Sequence, residues 1–142
     1  MQLEAEVILS PSAISRFTER AGIFLDRGGV DERAIHHVCV VLDEILTNVM
    51  THGGHAGGSA AVRIVIDAAH VRGEIAEGGA PFDPRAADDP DVSARLADRP
   101  VGGLGLFLVR RLASVLEYER RDDRNYTMFS VARGTAPGRD DE

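Results

Sequence analysis

The stretch Ala34 to His52 reads AIHHVCVVLDEILTNVMTH, and its periodicity decides how the rest of the chain is read. Ile35, Val38, Cys39, Val41, Leu42, Ile45, Leu46, Val49 and Met50 recur at helical spacing and wrap most of a helix's circumference. A helix so apolar belongs in a core. Glu44, Asn48 and His52 cut through that surface, each four residues from the last, so they stack on one face one turn above another. An acid, an amide and an imidazole placed there cost free energy unless polar groups meet them. The side-chain oxygen of Asn48 suits a hard cation such as magnesium. The carboxylate of Glu44 suits proton abstraction from a hydroxyl. Taken alone, the bland reading is favoured: a solvated edge of an amphipathic helix.

Working outward, Leu3, Ala5, Val7 and Leu9 alternate with polar neighbours, the pattern of a half-buried strand. Ser10-Pro11 gives an N-cap and a first helical position, and Ile14, Phe17, Ala21, Phe24 and Leu25 follow on one stripe until Gly28-Gly29. Asp31 caps the long apolar helix and Gly53-Gly54 ends it. Strands are expected over 60–67 and 71–76, paired across a short turn at Ala68-Ala69. From Gly78 to Pro100 the periodicity is weak, which predicts a long functional loop with a helical turn near 92–96. An apolar helix through Leu106, Leu108, Val109, Leu112 and Ala113 comes next. Then follow a strand over 115–121, a turn over 122–125 and a strand over 126–133. This order predicts an α/β (α+β) two-layer sandwich, with a mixed, mostly antiparallel sheet covered by helices on one face. The domain is expected over 1–133, with a frayed polar tail over 134–142.

Two further motifs carry chemistry. Glu77-Gly78-Gly79-Ala80-Pro81-Phe82-Asp83-Pro84 puts an acid at a strand end, able to accept from an amine, beside a glycine that lets a flat ligand approach the backbone. Gly102-Gly103-Leu104-Gly105 opens the third helix, where free amides and the helix dipole favour phosphate. The bland readings are a turn and a linker. No strand precedes the second glycine run and no Gly-Lys-Ser/Thr occurs, so neither a Rossmann fingerprint nor a P-loop is present.

The bulk numbers exclude other classes. A chain of 142 residues suits one domain with a real core. A formal charge of −7, with basic residues scattered among acids, argues against direct nucleic-acid binding. No apolar run reaches the length of a membrane span, and Met1 to Glu6 lacks a basic-then-apolar leader, so a cytoplasmic protein is expected. The single cysteine, Cys39, reads as packing and excludes a disulfide scaffold. His36, His37, His55 and His70 show no zinc-ligand spacing.

In order and spacing, the three motifs resemble the GHKL (Bergerat-fold) ATPase superfamily and, within it, the anti-sigma-factor serine/threonine kinases of the RsbW type. Asp43 to Asn48 with His52-Gly53 resembles the N box, Glu77 to Pro84 the adenine-binding G1 box, and Val101 to Leu112 the G2 box that closes the ATP lid. The resemblance implies ATP and Mg2+ as cofactors, with Asn48 as magnesium ligand and Glu44 as general base. It implies that Glu77 accepts from the adenine amine, that Gly79 makes room for the base, and that Gly102, Gly103, Leu104 and Gly105 receive phosphates. Thr127 would reach the adenine-binding acid from a neighbouring strand. His52 would contact phosphate or cap its helix, the cap being favoured. The implied partners are a STAS-domain anti-anti-sigma protein as substrate, a sigma factor and a second copy of the chain, in partner switching that regulates transcription.

One residue departs from the family pattern: Glu77 stands where the family has aspartate. The extra methylene must push the base, bend the stem or tilt the hydrogen bond, a misfit of ~1–3 kcal/mol. Either a small backbone adjustment absorbs it, or nucleotide affinity falls about tenfold or more. The competing reading is a non-catalytic, partner-sequestering module in which Glu77→Asp restores tight nucleotide binding. A histidine-kinase catalytic domain is least favoured, because no helical hairpin bearing a phosphoacceptor histidine is seen ahead of it.

Overall fold

The computed structural model describes residues 1–52, 58–86 and 103–134. Strand β1 (Gln2–Ile8) is followed by helices α1 (Pro11–Arg27) and α2 (Glu32–His52), strands β2 (Ser59–Ile66) and β3 (His70–Glu77), and a single 3-10 turn over Pro84–Ala86. Helix α3 (Gly103–Leu112) and strands β4 (Val115–Arg121) and β5 (Arg124–Ala132) come last among the described elements. The predicted turn over 92–96, the glycine run over 53–57 and the tail from 135 lie outside the described residues.

The helix boundaries follow their caps. The Ser10 hydroxyl accepts from the Ala13 amide at 3.2 Å, and Asp31 Oδ2 accepts from the Ala34 amide at 3.3 Å. Each satisfies an amide that the first turn leaves without an intrahelical partner. The β2–β3 turn closes on Asp67, whose Oδ1 accepts from the amides of Ala69 (3.0 Å) and His70 (2.7 Å).

Among the described residues the sheet has five strands in the order β1-β2-β3-β5-β4, and every described pairing is antiparallel. Period-two alternation sends Val62, Ile64, Val71, Ile75, Phe129 and Val131 to the face covered by helices, where they are buried with Val38, Val41, Leu42 and Leu46 of α2. Helix α2 packs against both α1 and α3 and reaches β5. At the centre of the sheet Gly73 faces Phe129, and a Cβ at position 73 would run into that ring. Among the described residues, no helix is long and apolar enough to cross a membrane.

One boundary differs from the sequence expectation in a way that matters for the site. A turn over 122–125 leaves Asn125 outside the last strand. In the structure Asp122 and Asp123 alone occupy the turn, with φ of 53° and 59°. Two consecutive left-handed residues make a hairpin turn whose twist matches its strands. Arg121 then pairs with Arg124, and Asn125 enters the ladder opposite Arg120 on one side and Glu77 on the other.

Candidate functional site

Helix α2 supplies one wall of the site. Asn48 is 4% exposed, and its Nδ2 donates to the Glu44 carbonyl at 2.7 Å. That bond uses the amide nitrogen within the helix and leaves the side-chain oxygen as the group able to meet a cation. Glu44, one turn earlier, is half-buried. Desolvation, and then the neighbouring Asp43 charge, push its carboxyl above the ordinary range. A raised carboxyl is a stronger base than a solvated one. His52 does not share the burial of Asn48. It is exposed, and its ring stacks on Phe82 with centroids 5.5 Å apart and planes 13° from parallel. The three polar residues that sequence placed on one face thus have three different environments.

The end of β3 supplies the facing wall. Glu77 is 3% exposed, so burying its carboxylate demands hydrogen-bond donors. Oε1 accepts from the Gly79 amide at 2.7 Å and Oε2 from Asn125 Nδ2 at 2.8 Å. Asn125, 1% exposed, also donates to the Ala80 carbonyl at 2.8 Å, and its Oδ1 accepts from the Tyr118 hydroxyl and from Arg120 at 3.1 Å. The same Arg120 nitrogen donates to the Gly79 carbonyl at 2.7 Å. The sequence points to Thr127 as the residue reaching the acid from the neighbouring strand. Thr127 is buried and lines the same cavity as Glu77, and Asn125, two residues earlier on β5, donates to the Glu77 carboxylate. Nothing in the local sequence marks Asn125, which sits among turn-forming residues.

The walls meet at a cavity of about 10 Å³ lined by Ile45, Asn48, Val49, Glu77, Phe82, Pro84 and Thr127. Asp83 and Arg85 stiffen its rim through a two-pronged ion pair with contacts of 2.9 to 3.3 Å, and Arg85 holds the Asp83 carboxyl below its usual range. The Arg85 guanidinium also lies 5.9 Å from the centre of the Tyr118 ring, linking this rim to β4. A larger concavity of about 320 Å³ lies on the uncovered face of the sheet, around Arg63, Arg72, Glu74 and Glu117, and holds none of the sequence-predicted site residues.

Of the remaining predicted positions, Gly103, Leu104 and Gly105 form the first turn of α3, where backbone amides lack intrahelical acceptors. Gly102 lies outside the described residues. Among the described residues no group of three or more His, Cys, Asp or Glu is placed to hold a metal.

Comparison with known proteins agrees with this fold. Residues 9–131 match the family model described as the histidine kinase-like ATPase domain. The serine/threonine-protein kinase BtrW of Bordetella bronchiseptica is 36% identical over 86 residues, covering 59% of this chain and 61% of that kinase. The match therefore spans about three fifths of that relative's length. Among solved structures, the RsbU and RsbW domains of Rv1364c from Mycobacterium tuberculosis superpose with a TM-score of 0.69 at 14% identity, covering 96% of this chain and 34% of that one. The SiaB-SiaC complex from Pseudomonas aeruginosa superposes at 0.55 and 17%, covering 92% and 89%. At these identities the structural likeness speaks to the fold.

Proposed function

The chain belongs to the histidine kinase-like ATPase domain family, and from that premise we propose that it is a protein serine/threonine kinase of the anti-sigma type, using Mg-ATP. The observation that carries the reading is the convergence of Asn48, Glu77 and Thr127 on one cavity, with Glu44 one helical turn from Asn48. The likeness to a named serine/threonine kinase supports the reaction class.

In this reading Glu77, at the end of β3, recognises the amine of adenine, and Gly79 lets the flat base lie against the backbone. Asn48 fits magnesium, because its nitrogen is spent on the Glu44 carbonyl and its oxygen is not. Magnesium, when bound, supplies charge neutralisation for the phosphates. The amides at the start of α3 add donors for those phosphates. The acceptor is a serine or threonine hydroxyl. Its oxygen bonds to the γ-phosphorus, the bond from that phosphorus to the β–γ bridging oxygen breaks, and ADP leaves. The hydroxyl proton passes to Glu44, whose raised basicity suits the task. The substrate in this proposal is a STAS-domain anti-anti-sigma protein, and the competing partner is a sigma factor.

Incubation with Mg-ATP and the cognate STAS protein should yield a phosphoprotein. Glu44→Gln should reduce transfer by ~10²–10⁴-fold while nucleotide binding stays within about threefold. Unchanged transfer would overturn the base assignment. A specific observation favours a second reading, a partner-sequestering module without catalysis. Both Glu77 oxygens already accept from protein donors, in a cavity of about 10 Å³. Calorimetry with ADP separates the two, since a pure sequestering module gives no heat at millimolar nucleotide.

A further inference from the structure

We propose that Asn125 is the positioning residue for adenine recognition in this chain, and that Glu77 and Asn125 work as a matched pair. The inference rests on the nucleotide-binding reading above and deepens it.

Glu77, Asn125 and Arg120 are directly opposed on β3, β5 and β4, so their side chains leave the same face of the sheet in one row. Each partner in the row completes the next. An amide has two N–H donors and a carbonyl oxygen with two lone pairs. Asn125 uses all of this capacity: Nδ2 donates to Glu77 and Ala80, and Oδ1 accepts from Tyr118 and Arg120. The amide therefore has one satisfied orientation, and flipping it would set a carbonyl oxygen against the Glu77 carboxylate.

The row also answers what the longer acid at position 77 does. The added methylene carries the carboxylate to the β5 side, where Asn125 takes one oxygen and the Gly79 amide takes the other. Arg120 fixes the following peptide of the same residue by bonding the Gly79 carbonyl. The carboxylate and the glycine that must face the base are thus held by one network. An aspartate at 77, one methylene shorter, would draw away from Asn125 and leave a buried amide N–H without its acceptor. The pair predicts that Glu77→Asp weakens adenine binding here instead of restoring it.

The test compares ADP with IDP by calorimetry in the wild type and in Asn125→Ala, Glu77→Asp, the double variant and Tyr118→Phe. IDP carries a carbonyl where ADP carries the amine, so the ratio of their affinities reads the aim of the carboxylate. A merely structural loss lowers both affinities together. The wild type should favour ADP by at least about tenfold. Asn125→Ala and Glu77→Asp should each bring that ratio down about tenfold, with the double variant no lower than the worse single. Tyr118→Phe removes one hydroxyl, keeps the fold if Asn125→Ala does not, and should cost about threefold. Wild-type ratios in Asn125→Ala and Tyr118→Phe would overturn the proposal, as would tighter ADP binding by Glu77→Asp. A wild type that binds neither nucleotide overturns the nucleotide reading instead. The pair is then decided without ligand by NMR hydrogen exchange at the Gly79 amide: protection lost in Asn125→Ala supports it, and protection kept overturns it.

Discussion

The two walls of the site solve the same problem in different ways. On α2, a buried polar side chain satisfies itself locally, because the Asn48 amide returns to a carbonyl four residues back. At the end of β3, a buried carboxylate takes one donor locally, from the Gly79 amide, and the other from far away, through Asn125 at a separation of 48 residues and behind it Tyr118 and Arg120 of a third strand. The helical wall is a property of one element. The sheet wall exists only when three strands are in register, so its polar groups are costly to remove singly.

The largest effect should come from breaking the cross-strand wall. Asn125→Leu strips one donor from a buried carboxylate and one from the Ala80 carbonyl, and should destabilise the fold by ~2–4 kcal/mol in urea denaturation. A loss below about 1 kcal/mol would mean that Glu77 finds other donors, and the contrast between the walls would dissolve. Asn48→Leu is the matched experiment on α2. It removes a single back-bond from a site already surrounded by Ile45 and Val49, so stability should change by less than about 1 kcal/mol. Magnesium-dependent nucleotide affinity should nevertheless fall at least about tenfold, since the departing oxygen is the proposed ligand. The smallest effect concerns Glu44. Its carboxyl is raised in the folded protein, so the unfolded chain gives up its proton first as pH rises. Stability attributable to Glu44 is therefore lost between the ordinary carboxylate pKa and the raised one. Because the group is partly exposed, Glu44→Gln should raise the melting temperature at neutral pH by at most about 2 °C. The gap should close on acidification below the ordinary carboxylate value, and a gap that widens instead would reverse the sign of the shift.

The same contrast explains what could be read from the sequence. Caps, helical stripes and strand alternation depend on neighbours within a few residues, so Ser10, Asp31 and the apolar face of α2 were legible, and the described helices and strands lie within a residue or two of their patterns. Asn48 was legible for the same reason, as an amide spaced four residues from an acid on an apolar helix. The pairing of β3 with β5 is written in no local pattern. The row Glu77, Asn125, Arg120 follows from register and from a turn of two residues where a longer one was expected. The stack of His52 on Phe82 was hidden likewise, because it joins a helix end to a loop far along the chain. Position 77 shows the cost of reading a residue without its neighbours. Taken without neighbours, its extra methylene reads as a misfit to adenine; in the ladder its carboxylate also has the Asn125 donor to meet.

The β3–β5 ladder is also a seam. One side of it carries the chain from β1 through β3, and the other carries α3 and the β4–β5 hairpin. Asn48 and Glu77 belong to the first side, Thr127 and Asn125 to the second. Sub-global opening along this line would dismantle the pocket while leaving each hairpin and α2 internally bonded. A ligand bridging the seam would act as a reversible cross-link, stabilising the closed form by mass action in proportion to its occupancy. Hairpin docking and ligand affinity are then two readings of one equilibrium, and amides such as those of Ile75 and Thr127, paired across the ladder, are where it would be seen as slowed hydrogen exchange.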